Sequence, residues 1–426
     1  MKKFFIVISA TLLALSCSNH EQLDNTLEQP QVSSDNIRSY EEALQIAEKS
    51  ISLLEGSSAT RSGLSRKIDL KASKIYLQNS MTRSAESNND TLMYIFNFEN
   101  NEGFALVAAP RSVEGLLAVT EQGYYEPGVP SGIEGFDMFV EMAENYVNIM
   151  SGHSPDGLIN IFSRIRYTGN HTPQAGPYID VAWGQRYPEG EFCPNGVAGC
   201  NNTAMAQIMS YFKYPTSINL TYQDRDYDTQ YLDWVSMNSH ATGHTLTDCP
   251  AYSQNTHTMI GRLCRQLGEL NHSMYHAATD STSASTGTYT QTYAASTFAT
   301  LGYTTSSWDS IPHINIANEL DNGHLLLMIG YKAGGPGHAW VLDGYTRAEY
   351  YEYMYHSEPG DPLVLDEIFG PLYETLYHLN WGWHGNYNGY FDFNVFNPKD
   401  VILPDGDYGL TDLNFSINVR FLPVYR

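Results

Sequence analysis

The stretch Gly199-Cys200-Asn201-Asn202-Thr203-Ala204-Met205-Ala206-Gln207-Ile208-Met209 places a thiol on a glycine turn at the point where an apolar helix begins. Ala204, Met205, Ile208, Met209 and Phe212 recur at helical spacing, so that face is buried, and Pro215 stops the helix. A cysteine at a helix N-terminus feels the positive end of the helix dipole and the unpaired backbone N–H groups. Both favour thiolate over thiol, and the thiolate is the nucleophile. A lone buried cysteine is ordinarily inert; the glycine before Cys200 and the helix after it set this one apart. A fold built on this chain must therefore present that helix end to a cleft.

The formal charge is −24 over 426 residues. That argues against nucleic acid as a partner, because phosphate neutralisation needs clustered Lys and Arg. It suits a protein that works outside the cytoplasm. Met1-Lys2-Lys3, an apolar run from Phe4 to Leu15, and Ser16-Cys17 make a basic n-region, an h-region and a small residue before a cut. The run is too short to span a bilayer. Ala14-Leu15-Ser16-Cys17 resembles a bacterial lipobox, with Ala14 where Leu is usual, so Cys17 is the expected lipidation site and any membrane attachment is through lipid. Localisation is then the bacterial outer membrane or cell surface, with the part of the chain beyond any later cleavage point released. The alternative is an ordinary signal peptide with an incidental cysteine. Of the five cysteines, Cys193, Cys249 and Cys264 remain beside Cys17 and Cys200, so at most one disulfide forms among them.

Along the chain, residues 1–16 read as the signal peptide and 17–37 as a flexible tether. Residues 38–150 form a small α+β domain. Ser39-Tyr40-Glu41-Glu42 is a capping box that opens a helix to about Leu54. Strands follow at Lys74 to Leu77, Leu92 to Phe98, Gly103 to Ala108 and Leu116 to Thr120, then a helix from Phe136 to Met150. This domain holds no titratable cluster suited to catalysis. Residues 151–176, rich in Gly, Pro, Ser and His, read as an exposed linker and activation region. Arg164 and Arg166, with Arg61 and Arg83 upstream, are candidate cleavage points. Residues 177–426 are one larger domain. Helices come first, from Cys200 and from Thr258 to Leu270; strands come second, at Leu325 to Tyr331, His338 to Tyr345, Thr375 to Trp381 and Gly389 to Val395. That order is α+β, a helical part and an antiparallel sheet with a cleft between them. The Tyr-rich, acidic stretch from Glu349 to Glu374 reads as an insertion at the cleft rim.

Four groups complete a site with Cys200. His338 follows Ala333-Gly334-Gly335-Pro336-Gly337 and begins a strand, a firm mount from which an imidazole reaches a cleft. It is the expected base and acid, resting as imidazolium beside the thiolate. Asn380 is the expected orienting group, its side-chain carbonyl accepting the His338 N–H that faces away from sulfur, with Trp381 shielding that bond. Gln185 is the expected oxyanion donor, working with the Cys200 backbone N–H.

These residues sit in motifs. Trp183-Gly184-Gln185, then Gly199 to Met209, then His338-Ala339-Trp340-Val341-Leu342-Asp343-Gly344, then Asn380-Trp381-Gly382-Trp383-His384-Gly385 resemble, in order, the signatures of the streptopain family of papain-like cysteine proteases. Tyr94 to Asn100 with Gly103 to Val107 is similar to that family's propeptide domain. The resemblance implies a papain-like two-lobed catalytic domain behind an N-terminal α+β inhibitory propeptide, made as a zymogen. It implies nucleophile Cys200, base His338, oxyanion donor Gln185, and Asn380 with Trp381 supporting the histidine. It implies protein or peptide substrates, the chain's own propeptide as intramolecular inhibitor, and no cofactor. Asn201-Asn202 depart from the family's usual Val-Ala after the nucleophile, which bears on the thiol's pKa or the nearby subsite.

Other signals are weaker. Asp224-Arg225-Asp226-Tyr227-Asp228 has calcium-loop spacing, yet Thr229 and Val235 stand where Gly and Glu are required. His378 and His384 flank Asn380 without forming a zinc motif, and no metal is expected. Two rivals to an endopeptidase are a papain-like cell-wall peptide amidase and a non-catalytic lipoprotein on the same fold. The second should have lost one of Cys200, His338 or Gln185, and all three are present.

Overall fold

A computed structural model of the chain describes residues 37–57, 66–77, 91–111, 113–152, 163–168, 170–222, 229–239, 254–280, 282–309, 315–332, 337–356, 364–396 and 417–426. The signal peptide, Cys17, most of the tether, Arg61, Arg83, the acidic run 224–228, Cys249 and the loop 333–336 lie outside the described residues. No helix among the described residues is long and apolar enough to cross a membrane.

The capping box closes as the sequence implies. Ser39 N–H donates to Glu42 Oε2 at 2.8 Å and Glu42 N–H to Ser39 Oγ at 3.2 Å, opening α1 (Tyr40–Ser57). Strands β1 (Lys74–Leu77), β2 (Thr91–Asn97), β3 (Phe104–Ala108) and β4 (Leu116–Thr120) pair antiparallel in chain order. Asn100 and Asn101, both left-handed, turn the chain between β2 and β3. Helix α2 (Glu134–Gly152) follows, with Glu134 and Asp137 in its first turn where they complement the dipole. Side chains of β2 and β3 alternate between faces. Met93, Ile95, Phe104 and Leu106 pack with α2, while Tyr94, Phe96, Ala105 and Val107 pack with α1.

The segment expected to be an exposed linker is in part strand. β5 (Ser163–Thr168) and β6 (Thr172–Ala175) add to the edge of a long later strand, so Arg164 and Arg166 stand in a ladder opposite Met354 and Glu352. Gly, Pro and Ser content says nothing about an edge offered from elsewhere in the chain, and Thr172, Pro173 and Gln174 stay exposed on that edge.

Next come α3 (Cys200–Phe212), the pair β7 (Ser217–Asn219) and β8 (Thr229–Tyr231), α4 (Trp234–Ser239) and α5 (Gln254–Leu270). A hairpin of β9 (Met274–His276) and β10 (Ser285–Gly287) leads to α6 (Thr290–Thr300), β11 (Thr304–Thr305) and α7 (Ile316–Asp321). Strands β12 (Leu325–Lys332), β13 (Gly337–His356), β14 (Val364–Asn380), β15 (Gly389–Asp392) and β16 (Ile417–Tyr425) complete the chain. The supposed insertion at 349–374 is the outer arm of the β13–β14 hairpin.

One twelve-stranded sheet runs through both regions, in the order β1-β2-β3-β4-β15-β14-β13-β12-β16-β11, with β5 and β6 on β13. The junction is β4 on β15, where Thr120, Val119 and Ala118 face Gly389, Tyr390 and Phe391. Helix α2 covers one face of this sheet and packs on strands of both regions, including Trp340, Leu342 and Phe391. On the opposite face α3, α5 and α6 cover β12 and β13 through Leu325, Leu327, Ile329, Ala339 and Val341. Phe136 of α2 is fully buried between Phe104, Tyr125 and Phe139, and meets Tyr387 at 4.7 Å. Phe136→Ala should therefore destabilise the full-length chain by about 3–5 kcal/mol, read as a lower urea midpoint. An unchanged midpoint would show that the shared core is not the source of cohesion.

Candidate active site

Cys200 opens α3. Gly199 before it has φ 90°, and a Cβ there would lie 3.0 Å from the Thr286 side chain, so this turn requires glycine. No side chain caps the helix, so none competes with an incoming anion for its first N–H groups. The thiol is half-buried.

His338 enters from the second residue of β13, opposite Gly330 of β12. Its Nε2–H donates to the Trp381 backbone carbonyl at 3.1 Å, which leaves Nδ1 for the thiol. The ring lies roughly parallel to the Trp340 indole at 6.2 Å, and Trp340 packs on Trp381. Burial pushes the Cys200 thiol up. The hydrogen-bonded His338 imidazolium outweighs this and, with the Ala339 N–H, holds the thiol below its ordinary value. Burial conversely disfavours the imidazolium, but the Cys200 thiolate, Glu134 and the Trp381 carbonyl hold its pKa above the ordinary value. Each group's charged form thus favours the other's, the pattern of a thiolate–imidazolium pair.

The structure changes the expected part of Asn380. Its Oδ1 accepts from Gly382 N–H at 3.1 Å and its Nδ2 donates to Val181 O at 3.1 Å, so it braces the turn after β14. The main chain of Trp381 takes the place expected for the Asn380 side chain. The reason is position: Asn380 ends β14 opposite Val341, while the carbonyl one residue on lies against the ring. Trp381 is fully buried and fixed by Nε1–H to Tyr387 O at 2.9 Å.

Gln185 lies beside the nucleophile turn, its carbonyl accepting from Ala198 N–H at 2.7 Å. Thr203 Oγ1–H in the first turn of α3 donates to Gly184 O at 2.8 Å, and Gly184 N–H donates to Glu189 Oε1 at 2.9 Å. The 183–185 segment is thus pinned to the helix that carries the thiol. Glu189 is buried, and that burial pushes its carboxyl up. Sequence reasoning missed it, since nothing in Tyr187-Pro188-Glu189-Gly190 marks a buried acid.

The expected inhibitor region does cover the site, through residues that the sequence did not single out. Glu134 Oε2, in the first turn of α2, stands 3.8 Å from His338 Nδ1. A Cβ on Gly135 would lie 2.5 Å from the His338 ring and 2.6 Å from the Trp381 indole, so only glycine lets α2 sit this close. A second histidine joins the two regions. His378 Nδ1–H donates to Asp343 Oδ1 at 2.6 Å, and its Nε2 faces Glu121 at 3.8 Å. Burial opposes its charge, but Asp343 outweighs burial and His378 is pushed up to about 10. Cys193 and Cys264 are buried free thiols, both pushed up by burial and so unreactive. No group of three or more His, Cys, Asp or Glu side chains is placed to hold a metal among the described residues.

The Cys200 thiolate is present above its lowered pKa and lost as pH falls through it. Iodoacetamide should therefore alkylate Cys200 with a pH midpoint below the ordinary thiol value of 9.0. His338→Ala removes the paired cation and should move the midpoint upward. A midpoint unaffected by His338→Ala would show that the pair does not govern the thiol.

Comparison with known proteins gives the same frame. The model of the Peptidase C10 family matches residues 183–391, and that of the Spi protease inhibitor matches residues 30–147. The thiol protease/hemagglutinin PrtT of Porphyromonas gingivalis is 24% identical over 389 residues, covering 83% of this chain and 40% of that protein. Streptopain of Streptococcus pyogenes is 21% identical over 396 residues, covering 87% of this chain and 89% of that protein. The solved prointerpain A fragment of Prevotella intermedia aligns with a TM-score of 0.48 and 17% identity, over 82% of this chain and 98% of that one. Cys200, His338 and Gln185 all fall within the stretch matched to the peptidase, and Glu134 and Gly135 within the stretch matched to the inhibitor. The region that carries Cys200, His338 and Gln185 is thus a Peptidase C10 region, and a Spi-type inhibitor region stands ahead of it.

Proposed function

We propose that this chain is an exported cysteine endopeptidase, made as a zymogen and tethered to the bacterial envelope by lipid on Cys17. The observation that carries the peptidase reading is the Cys200–His338 pair with the inhibitor region's own helix lying on it. Cys200 Sγ attacks the scissile carbonyl carbon. The carbonyl oxygen takes the negative charge and is held by the Cys200 N–H and the Gln185 side-chain amide. The C–N bond breaks as His338 gives the Nδ1 proton to the leaving amine, and a thioester remains on Cys200. His338 then takes a proton from water, and the resulting attack releases the carboxylate product and the thiolate. Nε2–H stays on the Trp381 carbonyl throughout, which fixes the ring.

In the full-length chain α2 occupies the histidine side of the site, so activity requires the inhibitor region to leave. Purified wild-type protein and Cys200→Ala, incubated and followed by mass spectrometry, test this. Self-cleavage is expected in the first, blocked by the thiol-directed epoxide E-64, and absent from the second. Equal cleavage in both would remove Cys200 from the chemistry.

Support for export and lipidation comes from residues 1–17 of the sequence. The lipid is then on the inhibitor side of the maturation cut, so once the β4–β15 ladder and the α2 core part after cleavage, nothing in this reading ties the peptidase region to the membrane. Cell fractionation before and after activation should move the peptidase region from membranes to the soluble fraction. A mature region that stays in salt-washed membranes would contradict release.

A further inference from the structure

The two residues after the nucleophile are where this chain leaves the streptopain pattern, and both are buried: Asn201 is 2% exposed and Asn202 0%. A buried carboxamide costs about 1–3 kcal/mol unless its hydrogen bonds are made. Asn202 makes four of them, the full complement of its side chain. Its Nδ2 donates to Ala198 O at 2.9 Å and to Ser273 Oγ at 3.0 Å. Its Oδ1 accepts from Asn201 Nδ2 at 3.2 Å and from Asn271 Nδ2 at 2.9 Å.

Each bond leads to a different part of the site. Ala198 is held at both polar groups, its N–H by the Gln185 carbonyl at 2.7 Å and its carbonyl by Asn202. The turn that aims the thiol and the segment that carries the oxyanion donor are therefore fixed through one residue. Ser273 Oγ in turn pairs with Thr288 Oγ1 at 2.8 Å, closing the base of the β9–β10 hairpin. That hairpin leans on the nucleophile turn, with Thr286 Oγ1–H donating to Val197 O at 2.7 Å. Asn271 extends the network to α6, its Oδ1 accepting from Thr297 Oγ1 at 2.8 Å. A fully satisfied buried network rigidifies what it joins. An apolar side chain at position 202 would fill part of the volume and join nothing.

Building on the peptidase reading, we propose that Asn202 is a positioning residue for the acyl-transfer step. Through Ala198 it fixes the Cys200 turn against the Gln185 segment, and through Ser273 it fixes that turn against the β9–β10 hairpin. It does not set the charge of the thiol, which His338 does. Its loss therefore weakens oxyanion stabilisation without changing thiolate formation.

The test uses the activated enzyme with Asn202→Ala and Ser273→Ala, active sites titrated with E-64. A fluorogenic peptide gives kcat and KM per titrated site, and iodoacetamide gives the pH midpoint of Cys200. Misplacing a reacting group by about 1 Å costs on the order of 100-fold. Asn202→Ala should accordingly lower kcat per titrated site by roughly 10- to 100-fold with KM within about threefold of wild type and the alkylation midpoint unmoved. A residue that only stabilised the fold would lower the number of titratable sites and leave kcat per site unchanged. Ser273→Ala, at a half-buried position, cuts the hairpin branch alone and should lower kcat by about threefold or more. Should Asn202→Ala fail to fold, Ser273→Ala decides. Unchanged kcat per site in whichever variant folds overturns the assignment, as does a shifted alkylation midpoint. Wild-type protein that neither reacts with E-64 nor hydrolyses peptide overturns the peptidase reading, and this assignment with it.

Discussion

The ion pair between Cys200 and His338 is the interaction on which the arrangement depends. Each partner is in surroundings that oppose its charge, and each one's charged form is favoured by the other. Such a pair holds only if neither side chain can drift, since removing one partner leaves the other as an isolated buried charge. The scaffold supplies that rigidity from two separate walls. Helix α3 fixes the thiol, and the first residues of β13, backed by Trp340 and Trp381, fix the ring.

Inhibition uses the same elements. The inhibitor region does not sit on the peptidase as a detachable plug. It extends the sheet through β4 and β15 and shares an apolar core through α2. Continuity of the sheet carries the first turn of α2 to the ring of His338, and the missing side chain of Gly135 lets it approach. The buried His378, charged between Asp343 of the peptidase region and Glu121 of the inhibitor region, adds an electrostatic tie at the same boundary. Loss of the inhibitor region would leave the Nε2 side of that imidazolium without its facing carboxylate, so the contact favours the covered state.

Much of this was legible in local sequence. The capping box at Ser39, the helix at Cys200 and the strands of the inhibitor region follow from turn chemistry and periodicity, which act over a few residues. Other elements were not. β16 was missed because Pro423 interrupts it, yet it lies inside the sheet between β12 and β11, with Val419 and Phe421 on one face and Leu422 and Val424 on the other. β5 and β6 were read as linker, since their pairing depends on β13, far along the chain. Asn380 was read as the orienting side chain, and the carbonyl one residue on does that work, because a hydrogen bond depends on backbone direction that residue names do not carry.

The sequence by itself determined the chemistry: a thiol at a glycine turn before an apolar helix, and a histidine, a glutamine and an asparagine in a fixed order after and before it. Those are properties of residue type and near-neighbour spacing. Only the tertiary structure decided which atom steadies the imidazole, where the inhibitor helix lies, and how Asn202 joins the thiol's turn to the β9–β10 hairpin. Each of these is a contact of a few ångströms between residues tens to hundreds of positions apart. Their formation depends on how the sheet is ordered and which faces it buries, and no local pattern encodes that.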